Sequence, residues 1–495
     1  MGFNVPNIFT NVGNPIIDAN AVNANFASIS SVFNYIFDVC FYGAVGNGTT
    51  DDSAAIQAAI NAAVSHGYGT VFFPRPASTY LVNTTLTCSS PIQFLSNGAS
   101  ITGSANPLIS VTGIQSTAAL TGNYVFNGLV FLPSAGNVAL LCDNLGSLNP
   151  GFYGPGPLIK DCLFSGELYT SASANPLFHA RSFSPITISD SAFIGSGTGG
   201  GGTMLRPGLL FEGIGNGRIA GCDLNYLTVA LDAKPDANGD DTEGIIVDSC
   251  TSEGAQIFMR SVNNNGAFIA KGCVADHVGQ VIISTNDYQS PTFSSGFIGY
   301  SPSIAVPANA PCIQVLANPG GTPAYDGTGG VCGNIIVTYQ TTGTLISLSN
   351  VIGFTFAQNV GSSGGVAVYL SLANFCAAIL VMDNFLQFAA TSKTSLTSLS
   401  TNFIYVRNDF VLSPVGSSAA ATTNFGITWS VPASATASEN LGPSDATVYI
   451  SGGTVTAISV NGQSTGLTSG AFRVPTRQTI TVTYSVAPNW NVVFD

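Results

Sequence analysis

The stretch Phe41–Val82 reads FYGAVGNGTTDDSAAIQAAINAAVSHGYGTVFFPRPASTYLV, and its reading decides the fold. Glycines and Asn47 make a tight loop. Thr50, Asp51 and Asp52 then offer side-chain oxygens to the orphan N–H groups of a helix start. Ile56, Ala59, Ile60 and Ala63 fall on one face at spacings of three and four, which predicts an amphipathic helix. Gly67 and Gly69 end it, and the strand-like runs Thr70–Pro74 and Tyr80–Val82 follow. At a helix start, Asp51 and Asp52 read as caps and not as catalytic groups.

Around this stretch the composition is that of an all-β, turn-rich chain. Of 495 residues only 7% are charged and 56 are Gly, while 45% are hydrophobic, enough for an extensive core. The 25 acids against 12 bases give a charge of −13 with no basic run, which disfavours nucleic acid and weakly favours a neutral or basic ligand. Apolar runs such as Phe375–Met382 are too short for membrane insertion. The opening MGFNVPNIFT lacks the basic start and apolar core of a signal peptide.

From about residue 120 a loose repeat appears: an apolar residue, two spacers, then Cys, Ser or Asn, often with another apolar residue two places on. Its copies include Ile159…Cys162…Phe164, Ile188…Ser191…Phe193, Ile219…Cys222…Leu224, Val247…Cys250 and Ala270…Cys273. After an unreadable gap at 274–355 come Phe356…Asn359, Val381…Asn384 and Tyr405…Asn408. The steps are 29, 31, 28 and 23 residues, then 25 and 24, periods that mean a solenoid of stacked coils. Ten Cys would suggest disulfides in an extracellular protein. Yet Cys162, Cys222, Cys250 and Cys273 fill the slot that Asn359, Asn384 and Asn408 fill elsewhere, so they read as buried, reduced ladder members. Cys40, Cys88, Cys142, Cys312, Cys332 and Cys376 have no assigned role.

The run GAVGNGTTDDSAAIQAAI, with TVFFP and TYLV after it, resembles the entry segment of pectin-lyase-like right-handed parallel β-helix proteins, where it caps the solenoid. Upstream, Val22, Phe26, Ile29, Phe33 and Ile36 recur at steps of four and three, a short helical seam or one helix packed on its own domain. DANAVNANF (18–26) resembles the peptide that opens many phage tail and neck proteins, and the strands after Pro443 resemble a C-terminal module of phage tail proteins. Four parts are expected: a virion-attachment segment at 1–35, the parallel β-helix at 36–412, a linker at 413–436 and a small β-sandwich at 437–495. The whole resembles a phage tailspike. That resemblance implies a homotrimer on the virion that acts extracellularly, contacts other tail or neck proteins through its N-terminus, and binds a bacterial surface polysaccharide. It implies cleavage of that polysaccharide in many cases, with glycoside hydrolysis preferred to lyase chemistry. The alternative is a non-catalytic receptor-binding or structural appendage.

No catalytic residue carries over by motif: the G-H-G and R-x-K runs of polygalacturonase-like enzymes are missing. Glycoside hydrolysis needs two carboxylates flanking the bond. Glu253 and Asp276 each lie three residues after a ladder Cys on successive coils, so they should point outward one rung apart, with His277 adjacent. Asp161 and Asp190 precede the ladder slot, in a turn. Residues 223–253 hold eight of the 25 acids, among them Asp223, Asp232 and Asp248 as further candidates. Within that tract DANGDD places Asp236, Asp240 and Asp241 with Ca²⁺-like alternation, though the Gly and distant Glu of an EF-hand are missing; a polar turn is the competing reading. Outward acids on such a fold are also ordinary solvated surface. His179 and Arg181 form a lone H-A-R, read as surface strand.

Overall fold

The computed structural model describes Ala24 and residues 35–494 apart from 68, 113–122, 135, 145–155, 167–171, 196–203, 265–267, 288, 306, 317–328, 340–342, 364–367, 374–375, 377–378, 388–392, 397–403, 408–409, 413–428, 430, 441–444 and 476–477. Most of the N-terminal seam, the stretch 416–423 and Asn408 lie outside the described residues. Ile36, the last seam position, stands in a strand, Ile36–Asp38, paired with Thr70–Phe72, so a helical seam cannot include it. The chain divides into two compact units, Met1–Val278 and Gly279–Asp495.

In the first unit, helix α1 (Ser53–Ser65) buries Ile56, Ala59, Ile60 and Ala63. Asp52 holds the N-cap position without a side-chain cap bond, and Asp51 just before it supplies the oxygen: its Oδ1 accepts the Ser53 N–H at 3.0 Å and the Ser53 hydroxyl at 2.5 Å. These bonds hold the Asp51 carboxyl below the usual carboxylate range. Asp52, almost fully buried, ties the loop to the first coil by accepting from Val45 N–H at 2.6 Å and from Gly46 and Leu81 N–H at 3.2 Å. Both aspartates are structural.

The chain then winds through three parallel sheets, here A, B and C, one strand of each per coil; Ile186–Ser189, Ala192–Ile194 and Leu209–Glu212 make one such coil. Strands this short gain stability only by stacking, and the repeat makes the stacking regular. Ile159, Ile188, Ile219, Val247 and Ala270 are successive register partners in sheet A, and all are buried. Phe164, Phe193 and Leu224 follow one another in sheet B. Aromatic rings stack along the interior, with Phe94–Phe126 centroids 4.7 Å apart, Phe131–Phe164 4.6 Å and Phe164–Phe193 4.5 Å. Such stacks hold Phe94, Phe126, Phe131, Phe164 and Phe193 in the core.

The A-to-B corner is a two-residue turn. Its first residue is left-handed: Gly128, Asp161, Asp190, Gly221, Ser249 and Gly272 have φ between 51° and 72°. Its second points inward: Cys162, Ser191, Cys222, Cys250 and Cys273 are buried, and all four thiols are free. Each thiol lies 3.2–3.6 Å from the carbonyl two residues back. Burial pushes the Cys162 thiol up to about 11, so it is a neutral thiol at ordinary pH.

The second unit repeats the three-sheet pattern, with Val331, Phe356, Val381 and Val406 as successive register partners. Here the corner slot holds Asn334, Asn359 and Asn384, all buried. Each amide Nδ2 donates to the next Oδ1, Asn334 to Asn359 at 3.0 Å and Asn359 to Asn384 at 2.9 Å. Asn334 lies inside the stretch 274–355 whose period is unreadable, since the strands Phe297–Tyr300, Ile313–Leu316 and Gly329–Cys332 are far apart in sequence. After them come two small antiparallel sheets. Ala446–Ser451 pairs with Gly470–Val474 and Asn489–Phe494, while Thr479–Val486 pairs with Ala437–Glu439 and Thr454–Val460. Val448, Ile450, Ile458, Phe472, Val474, Ile480 and Val482 form their core. Trp429 packs against that core too, and its carbonyl accepts the Trp490 indole N–H at 2.6 Å. No described helix is long and apolar enough to cross a membrane.

Candidate functional site

The acidic tract 223–253 is dense in sequence and dispersed in space. One coil takes about its length to travel through all three sheets, so the tract is distributed among them. Asp223 and Glu253 stand in sheet B, Asp232 in sheet C and Asp248 in sheet A. Asp248 is paired there with Arg218 at 3.0 Å. Its carboxyl is held low by the Ser249 hydroxyl first and by Arg218 second.

Glu253 and Asp276 come together. They are register partners on Thr251–Glu253 and Val274–Val278, which sets their Cα atoms about one strand spacing, ~4.8 Å, apart. Their neighbours Ser252 and Ala275 are buried, so by strand alternation both carboxylates leave on the outer face. Glu253 is exposed and Asp276 half-exposed. On the preceding coil the Asn225 Oδ1 accepts the Glu253 N–H at 2.8 Å. Tyr226 stands beside Glu253, and its phenol is raised by burial first and by the Glu253 charge second. His277 Nδ1 is 3.2 Å from Asp276 Oδ1. Asp223, on the same face one row over, accepts a hydrogen bond from the Thr251 hydroxyl.

A second group, on sheet C, was not found from the sequence. Asp143, Arg181, Glu212 and Lys234 are successive register partners, and His179, Leu210, Asp232 and Arg260 form the row beside them. Arg181 meets Asp143 at 2.5 Å, Lys234 meets Glu212 at 3.0 Å, and His179 Nε2 lies 2.7 Å from Glu212 Oε2. Arg260 clasps Asp232 with two bonds, 2.8 and 2.6 Å. Burial would raise Glu212, but the His179 and Lys234 hydrogen bonds outweigh it and hold the carboxyl down at about 2. His179 and Arg181 are thus surface strand residues, as read, but tied into an ion-pair array. The signal available in the sequence was weak: one charge per coil at matching strand positions, 22–38 residues apart.

The DANGDD loop shows no gathering of oxygens. Asp236 is buried; its Oδ1 accepts the Asn238 and Asp240 N–H groups at 2.8 and 3.0 Å, and its Oδ2 accepts the Ser182 hydroxyl at 2.6 Å. Its oxygens staple the loop to itself and to Ser182, two coils back. Among the described residues no three His, Cys, Asp or Glu side chains are grouped to hold a metal ion.

Residues 36–166, the cap and the first coils, match the family model described as rhamnogalacturonase A/epimerase, pectate lyase-like. No curated protein matches the chain. Similar solved structures include the tailspike of Pseudomonas phage phi297, at 10% identity over 92% of this chain and 98% of that one, TM-score 0.48. The Dettilon tailspike aligns at 13% identity over 94% and 82%, TM-score 0.41. The A-module of the Azotobacter vinelandii mannuronan C-5 epimerase AlgE6 aligns at 14% identity over 76% and 100%, TM-score 0.42. The matched segment ends before Glu253 and Asp276.

Proposed function

We propose that this chain is a phage tailspike, a homotrimer that binds a bacterial surface polysaccharide and hydrolyses its glycosidic bonds with Glu253 and Asp276. The observation that carries the chemistry is their pairing: two solvent-facing carboxylates in register on adjacent coils, with no base among the described residues in an ion pair with Glu253. A strand spacing of ~4.8 Å between Cα atoms suits the ~5–5.5 Å carboxyl separation of a retaining mechanism. In such a mechanism one carboxylate attacks the anomeric carbon, and the other protonates the leaving oxygen and then deprotonates the incoming water. Asp276 sits beside His277 and Glu253 beside Tyr226, which gives the two acids different surroundings, as their different roles require. A Ca²⁺ ion at Asp236, Asp240 and Asp241 has no part in this scheme.

A second reading comes from sheet C. His179 against Glu212, flanked by Arg181 and Lys234, has the elements of proton abstraction next to a sugar carboxylate, which is lyase chemistry. Incubating the protein with polysaccharide from its host separates the two. Hydrolysis gives new reducing ends alone, elimination adds the absorbance of a 4,5-unsaturated product, and neither signal leaves the non-catalytic binder. Light scattering tests the assembly: the mass of three chains is expected, and a single-chain mass well above micromolar concentration rejects it.

A further inference from the structure

Along the A-to-B corner of the first unit runs an open groove of about 700 Å³ that the proposed reaction does not use. Its lining takes one polar side chain or more from each of five successive coils: Asn97, Asn127, Asp161, Asp190 and Asp223. Gly98, Gly128 and Gly221 leave the corner bare between them, and at Gly98 a Cβ would meet no atom within 4 Å. Among the described residues, the side chains of Asn97, Asn127, Asp161 and Asp190 make no hydrogen bond to the protein. Elsewhere on this surface polar groups are spent on the fold: Asn83, Asn137 and Asn225 all bond backbone of a neighbouring coil. Here four coils in a row, those of Asn97, Asn127, Asp161 and Asp190, present unspent amides and carboxylates into one concavity, and Asp223 on the fifth accepts only from the Thr251 hydroxyl.

We propose that this groove binds a polysaccharide strand lying along the coil axis, and that the strand carries no acidic groups. Hydroxyl and amino groups of sugars donate to carboxylates and amide oxygens, whereas a uronate or sulfate would meet Asp161, Asp190 and Asp223 with no Lys or Arg in the lining. Coil repeats at ~4.7–4.9 Å place a polar contact at intervals close to the length of one sugar ring. The groove ends at Asp223, and the next two coils carry Glu253 and Asp276. In this respect the inference rests on the proposed function: the groove holds the chain on one side of the reacting bond.

The test is an array of bacterial surface oligosaccharides, sorted into neutral, amino-sugar and acidic members, probed with the full-length protein and with Glu253→Gln. Neutral or amino-sugar members should bind, equally to both proteins. The double variant Asn97→Ala/Asn127→Ala, in side chains with no protein partner, should weaken that binding at least tenfold at an unchanged melting temperature. Asp190→Asn should weaken amino-sugar members more than neutral ones. Binding confined to acidic members, or binding unmoved by the double variant, overturns the inference. Binding that survives in an enzyme without hydrolytic activity leaves the groove standing and removes the catalytic reading alone.

Discussion

Sheets B and C of the first unit use the same coils and the same alternation, yet they treat their acids in opposite ways. On sheet C each acid lies under a base: side-chain exposure is 14% for Glu212 against 46% for Lys234, and 11% for Asp232 against 37% for Arg260. On sheet B, Asp223 and Glu253 are exposed and among the described residues no Lys or Arg forms an ion pair with them, and Asp276 has His277 at its side. A half-buried carboxylate must be matched because desolvation penalises its charge. An exposed one is free of that demand and can afford two like charges on neighbouring coils. Matching gives sheet C its cohesion, and the proposed reaction uses the Glu253/Asp276 pair of sheet B, where the neighbouring base is His277.

The predictions follow from that contrast. Removing Asp276 from the pair should have the largest effect: Asp276→Asn should lower glycan cleavage about a hundredfold or more, with binding and melting temperature unchanged. Reducing-end release and calorimetry read this directly. If the residue were ordinary solvated surface, the rate would stay at the wild-type value.

Next comes the array. Arg260→Ala leaves Asp232 buried without its clasp, and the loss should be about 2 kcal/mol, below the ~3–5 of a fully enclosed pair because water reaches Arg260. Denaturant unfolding measures it. Glu212→Gln should cost on the order of 2 kcal/mol at neutral pH, with cleavage retained. The sign is fixed by the lowered Glu212 value. A carboxyl held at about 2 adds stability that is fully present above its ordinary 4.5 and is lost as the pH falls from there towards 2. The gap in melting temperature between wild type and Glu212→Gln should therefore close near pH 2, and a gap that persists there would remove the charge from the explanation.

The corner ladders should respond least uniformly. Asn359 bonds Val331 and Asn384 through its amide and accepts from Asn334, so Asn359→Ala strands several buried groups and should cost about 2 kcal/mol. Cys250→Ser should cost about 1 kcal/mol or less, since Ser191 fills the same slot with its hydroxyl on the Ser189 carbonyl at 2.8 Å. Equal losses at the two sites would mean that the thiol and amide ladders stabilise alike.

Much of this fold was legible because its signals are local or periodic. The cap stands within Phe41–Val82, and the corner slot recurs at coil period, so Cys162, Cys222, Cys250 and Cys273 could be placed as reduced ladder residues. Glu253 and Asp276 were placed as neighbours by the same phase. Three things were hidden. Asn334 was masked by the wide sequence spacing of the strands before it, which broke the period. The sheet C array joins residues of successive coils whose shared face no short motif marks, so His179-Ala180-Arg181 looked isolated. The acidic tract misled in the other direction, since proximity along a coil sends Asp232 and Asp248 to different sheets. For Asp236 a Ca²⁺-like alternation stood beside the polar-turn reading, because loop spacing serves a ligand and backbone stapling equally well.

The central claim is that Glu253 and Asp276 of sheet B react and the ion-paired carboxylates of sheet C hold the wall. The most direct test is to measure kcat/KM on host polysaccharide for Glu253→Gln and Glu212→Gln side by side at neutral pH and at a temperature where both are folded. The account predicts a loss of about a hundredfold or more for Glu253→Gln and a change of less than about threefold for Glu212→Gln. The reverse pattern, an active Glu253→Gln and an inactive Glu212→Gln, would contradict it and move the reaction to sheet C.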